Sequence, residues 1–225
     1  MRLKQVIVSS LLVGTIAISG CGADSVKEEK EIKSTGNVNE VDWADAFDYE
    51  ELGVEPYTYA PSFDVFELSD VQKDAIVTLY EYSLNWNPSM AENDDWQEYY
   101  ISNFVRMYRG GDYLKALYDR DGKASKEEAE YMQYSLTGQK ISFNLDDGAL
   151  IDIEDYSGFS PENTIQDYTY EGNSETILVH ATIYHEHVSG EVIASDEYKV
   201  DVCLKRNPFS CYDGYYIYSI KDVTT

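Results

Sequence analysis

Between Ser69 and Gly138 apolar residues recur every three or four positions; from Ile141 onward they recur every second position. The first spacing predicts helices and the second predicts strands. Ser69 and Gln72 give a capping-box signal ahead of the stripe Val71, Ala75, Ile76, Leu79 and Tyr80, which predicts a helix closed before Asn87-Pro88. A second helix is expected over 94–109, with Ile101, Phe104, Val105 and Tyr108 on one face and Gly110-Gly111 after it. A short third helix carries Tyr113, Leu114, Leu117 and Tyr118. A fourth starts at Ser125, where Glu128 completes a second capping box, and stops at Gly138.

The alternating half of the chain predicts an antiparallel meander. Ile141, Phe143 and Leu145 form a first strand, Asp147-Gly148 is a type I′ turn signal, and 150–154 returns beside it. Further strands are expected over 165–171, 176–188, 191–206 and 215–223. Taking Ser189-Gly190 as the turn between the two long strands places Asp196 opposite Ile183 and diagonal to His185. Helices first and strands afterwards give an α+β class, with the helices on one face of a curved antiparallel sheet.

This order, over residues 69–225, resembles the nuclear transport factor 2-like superfamily, in which a curved sheet wraps as a cone over helices. It also resembles the cone-shaped periplasmic subunits of bacterial conjugation machinery. The resemblance rests on topology. It implies a cone and a partner or ligand within reach of it, but no particular reaction, because such domains include isomerases, hydrolases and non-catalytic binding modules.

The front of the chain has a different logic. Arg2 and Lys4 precede an apolar run over 6–18, about 20 Å long as a helix and short of a bilayer core of about 30 Å. A basic start, a short apolar middle and a small-residue end describe a secretory signal over residues 1–20. Ile18-Ser19-Gly20-Cys21 resembles the lipobox of bacterial lipoproteins. That resemblance implies cleavage before Cys21, diacylation of its thiol with fatty chains such as palmitate, and attachment to the outer face of the cell membrane. Residues 21–42 are highly charged with few apolar side chains, so they read as a flexible acidic tether. Residues 43–68 carry aromatics with Pro56 and Pro61, and read as an irregular segment packed on the domain.

Charge narrows the partners. The chain has 42 acids against 17 Lys and Arg, a formal net charge of −25. Loss of Arg2 and Lys4 with a signal makes it more negative still. Such a field repels phosphate backbones, so no nucleic-acid partner is expected; it would attract a cation or a basic partner, but the leading reading is that the acids simply keep a crowded, anchored domain soluble. Twenty-one tyrosines against seven phenylalanines supply rings that tolerate half-burial. Beyond Cys21, Cys203 and Cys211 flank a short loop in an exported chain, a spacing that predicts a disulfide.

Candidate chemistry clusters near the long hairpin. His185 and Asp196 share the face that is otherwise apolar; a carboxylate in an apolar cone is the setting of the general base in ketosteroid isomerase, a member of the family resembled. The competing expectation is that the sheet bends there and leaves Asp196, His185 and His187 at a wet rim. His185 and His187 also have metal-ligand spacing on a strand, but two ligands are not a site and the sequence fixes no third, so no metal is expected. Asp119, Asp121, Gly122 and Glu128 match part of a calcium-loop pattern, although Leu117 stands where the first ligand belongs. Gly122 and Ser125 are equally explained as a helix stop and a helix cap. No phosphate loop or nucleophile elbow is present, and no cofactor is expected. The leading expectation is a lipid-anchored, extracytoplasmic binding or scaffold domain; the alternative is a small-molecule enzyme using Asp196 and His185.

Overall fold

In the computed structural model the structure describes residues 43–60, 63, 66–105, 123–152, 163–189 and 192–224. The signal, the lipobox and the tether therefore lie outside the described residues, as do the expected third helix, Asp119, Asp121 and Gly122.

Both capping boxes form. Helix α1 (Asp70–Tyr82) begins where Ser69 Oγ accepts from the Gln72 backbone N–H and Gln72 Oε1 accepts from the Ser69 N–H, each at 3.2 Å. Two backbone donors that a helix start leaves unmade are thus satisfied together. Helix α2 (Trp96–Tyr100) widens into a π-turn over Ile101–Val105. Helix α3 (Lys126–Thr137) repeats the capping logic with Ser125 and Glu128, and Gly138 closes it at φ 71°. A Cβ at Gly138 would stand 2.7 Å from the Tyr216 ring, so packing as well as backbone conformation requires glycine there.

Among the described residues the strands form two sheets. β1 (Lys123–Ser125) pairs antiparallel with β2 (Leu150–Asp152). β3 (Asn163–Gly172), β4 (Thr176–Ser189), β5 (Val192–Arg206) and β6 (Tyr215–Asp222) make a four-stranded antiparallel sheet in chain order. The class is α+β with a curved sheet, and bulges near Ile165/Asp167 and Cys203/Leu204 contribute bends.

Two sequence expectations are corrected. The segment 141–145 is not a strand, and β2 pairs with β1 instead. The N–H groups of Phe143 and Asn144 donate to Glu130 Oε1 and Gln97 Oε1, side chains of α3 and α2, so the backbone is satisfied without a ladder. Phe143 itself is buried, 5.7 Å from the Tyr100 ring. Along the long hairpin, pairing runs to Ser189↔Val192, one residue further toward the tip than expected. Asp196 consequently faces His185 directly, and Ile183 faces Tyr198.

The faces of the long strands are as the alternation predicts. Ile177, Val179, Ala181, Ile183, Val200, Val202 and Leu204 are buried, whereas His180, Glu197 and Lys199 are exposed. The buried face meets Ala75, Ile76, Leu79 and Tyr80 of α1 in one core. Helix α1 reaches both edge strands, β3 and β6, so it lies across the buried face of the sheet. Ahead of α1, Ala46, Tyr49 and Leu52 are buried, and Tyr49 stacks on Phe209 with centroids 4.1 Å apart.

Candidate functional site

The loop joining β5 to β6 is wound tightly by its own polar groups. Asn207 N–H donates to Gly214 O (2.8 Å), Gly214 N–H to Ser210 O (3.1 Å), and Tyr212 N–H to Ser210 Oγ (3.1 Å). Two helices clamp it from beneath. Tyr131 of α3 donates its hydroxyl to Phe209 O (2.8 Å), and Gln72 of α1 donates Nε2 to Tyr212 O (3.0 Å). The loop thereby presents Asp213, in the left-handed region at φ 53°, followed by Gly214 and Tyr215. Asp is among the few side chains that adopt this conformation at low cost.

Residues 57–60, 63 and 66–69 lie against that loop. Tyr57 N–H donates to Pro208 O (2.6 Å), and the Tyr59 hydroxyl donates to Gly214 O. A Cβ at Gly214 would fall 2.6 Å from the Tyr59 hydroxyl oxygen and 2.9 Å from Tyr57 Cβ, which is how closely the segment fits. Between the two walls is a cleft of about 280 Å³, lined by Tyr57, Tyr59, Phe63, Phe66, Tyr215, Glu67, Gln72, Ser174 and Asp213, with Ala60 and Ser69. Its rings brace one another edge to face: Tyr57–Tyr59 at 5.1 Å, Tyr59–Tyr215 at 5.5 Å and Phe66–Tyr215 at 6.0 Å between centroids. Such contacts add about 0.5–1.5 kcal/mol each beyond area burial. Burial raises the Tyr59 and Tyr215 phenols above their ordinary range, so both remain neutral hydroxyls.

His185 and Asp196 lie elsewhere, about 30 Å along β4 from the cleft end of the sheet at Thr176. Asp196 is exposed and His185 half-buried. His185 Nδ1 donates to Asn163 Oδ1 (2.8 Å), and Asn163 Nδ2 donates to Glu81, tying β4 to α1 through β3. The structure thus brings the pair face to face, with the carboxylate exposed and the imidazole half-buried. The His187 side chain is outside the described residues. Glu128 is engaged in its cap, with Oε2 accepting from Ser125 N–H at 2.6 Å. No cluster of three metal-ligating side chains exists among the described residues.

Cys203 and Cys211, the pair expected to form a disulfide, are both buried, and the structure draws no bond between them. Cys211 sits in the loop against Tyr131 and Ser135 of α3. Cys203 lies between Val202 and Leu204, which fill the core, so the pleat sends its side chain to the opposite face. Burial pushes the Cys211 thiol up to about 12, keeping it protonated and unreactive at neutral pH. Alkylation without reductant is expected to label neither thiol in the folded protein and both in denaturant; resistance of both in denaturant would mean that they are bonded.

The aromatic cleft was not among the sequence candidates. Its signal is the spacing of Tyr57, Tyr59, Phe63 and Phe66 around Pro61, a ring density that a segment serving only as a linker does not need. Comparison with known proteins gives no match: no family model fits the chain, and neither a curated protein nor a solved structure is significantly similar.

Proposed function

We propose that this chain is a lipid-anchored protein of a bacterial cell surface whose domain binds a ligand without transforming it. The observation that carries the binding reading is the cleft of about 280 Å³, walled by five aromatic residues on a clamped loop. Rings held by both helices and the sheet offer a preformed surface, which lowers the ordering cost of binding. The Ile18–Cys21 motif behind a basic start supports attachment through Cys21. The order of helices and strands, with α1 across the buried face of the sheet, supports a nuclear transport factor 2-like cone. An accessory role in an envelope or conjugation assembly fits the same anchor. The charge of −25 supports partners other than nucleic acid.

The test is ligand mapping on the full-length protein in a nonionic polyoxyethylene detergent. Sugars, amino acids, amines and short peptides are screened by NMR for shifts of assigned side chains. Hits are expected to move Tyr57, Phe66 and Tyr215 and to lose affinity at least about tenfold in Phe66→Ala. Hits that move only His185 and Asp196, or that are turned over, would favour the enzymatic alternative.

A further inference from the structure

We propose that the aromatic cleft takes an organic cation, a substituted ammonium group seated among Tyr57, Phe66 and Tyr215 and facing the carboxylates of Asp213 and Glu67. This rests on the binding reading above and narrows it to one ligand chemistry. Three observations converge on it.

The first is the balance of charge. Two carboxylates line the cleft, and no Lys, Arg or His stands among its described lining residues. The nearest guanidinium, Arg206, stands behind the Tyr59 wall, where it is half-buried, pairs with Glu175, hydrogen-bonds the Tyr59 hydroxyl and rests 4.2 Å from the Tyr59 centroid. That contact also shows a ring of this cluster already holding a cation by its face. The negative face of an aromatic ring attracts cations, most strongly where water is displaced.

The second is the state of the neutral polar groups. Gln72 donates to Tyr212 O and accepts from Ser69 N–H, and Ser69 Oγ accepts from Gln72 N–H. The Tyr59 and Tyr215 hydroxyls donate to Gly214 O and Ser174 O. A sugar, which needs a dense set of hydrogen-bonding partners, finds most of these groups engaged. A substituted ammonium needs ring faces and a counter-charge instead.

The third is Asp213. Its Oδ2 is shielded from solvent and receives no hydrogen bond among the described residues. A carboxylate oxygen cut off from water and from donors is costly, and a cation in the adjoining cleft offsets part of that cost through its field, without touching that oxygen. The field of a strongly acidic chain concentrates such ligands near the surface.

The probes are choline and its uncharged carbon isostere, 3,3-dimethylbutan-1-ol, titrated by NMR against the full-length protein in the same detergent. Choline is expected to shift Tyr57, Phe66 and Tyr215, and to bind at least about tenfold more tightly than the isostere. Asp213→Asn keeps the shape, and Asn tolerates the same backbone, so the fold is expected to survive while choline affinity falls about tenfold. Raising the salt is expected to weaken choline and leave the isostere unchanged. Equal affinity for the two probes, or no loss in Asp213→Asn, overturns the cation proposal. Shifts at the cleft from a neutral disaccharide but not from choline also overturn it, while leaving the binding reading intact. A cleft that responds to none of these probes overturns the cation proposal; the binding reading itself falls when the wider library also leaves it unmoved.

Discussion

Trp96→Ala is expected to be the most destabilising single truncation among the described aromatics, lowering stability by about 3–5 kcal/mol. Trp96 is 1% exposed, and its ring lies within 4.8–6.2 Å of Trp86, Tyr82, Tyr100, Tyr99 and Phe104. These rings join α2 and its π-turn to the chain leaving α1, so the hole would open where several elements meet. A natural domain is stable by only about 5–15 kcal/mol, which makes the loss a large share of the whole. Trp96→Phe is expected to cost less than about half as much. It leaves a smaller cavity and removes an indole N–H that has no acceptor among the described residues. Denaturant midpoints measure both; a Trp96→Ala midpoint equal to the parent's would mean that this cluster is not part of the cooperative core.

Cys21→Ala is expected to move the protein from the membrane to the medium. Each buried methylene of a fatty chain contributes about 0.8 kcal/mol, so one chain holds marginally and two hold firmly. Without the thiol no chain is attached, and a net charge of −25 is repelled by an anionic headgroup surface. Cell fractionation with mass spectrometry of the N-terminus reads the result. A variant that stays with the membrane although its first 20 residues are gone would show that something other than Cys21 holds it.

What was legible in the sequence is what depends on near neighbours. Ser69–Gln72 and Ser125–Glu128 announce helix starts because both partners of each box lie within one turn. The faces of β4 and β5 follow from alternation alone. The pairing of those strands was misplaced by one position at the tip, since Ser189-Gly190 satisfies a turn and the chain pairs Ser189 all the same. Residues 141–145 alternate like a strand, yet their donors are taken by Glu130 and Gln97, which are distant in sequence. The same limit hid the aromatic cleft. Tyr59 and Phe66 meet Tyr215 only because Gln72 and Tyr131 fix the loop before β6, and that is a tertiary fact. Cys203 and Cys211 are close in number but leave the backbone toward opposite sides of the sheet.

The burial of both thiols has a practical corollary. Neither Cys203 nor Cys211 offers its sulfur freely to solvent, so a thiol reagent reaches either one only when the domain opens, and the rate of modification reports that opening.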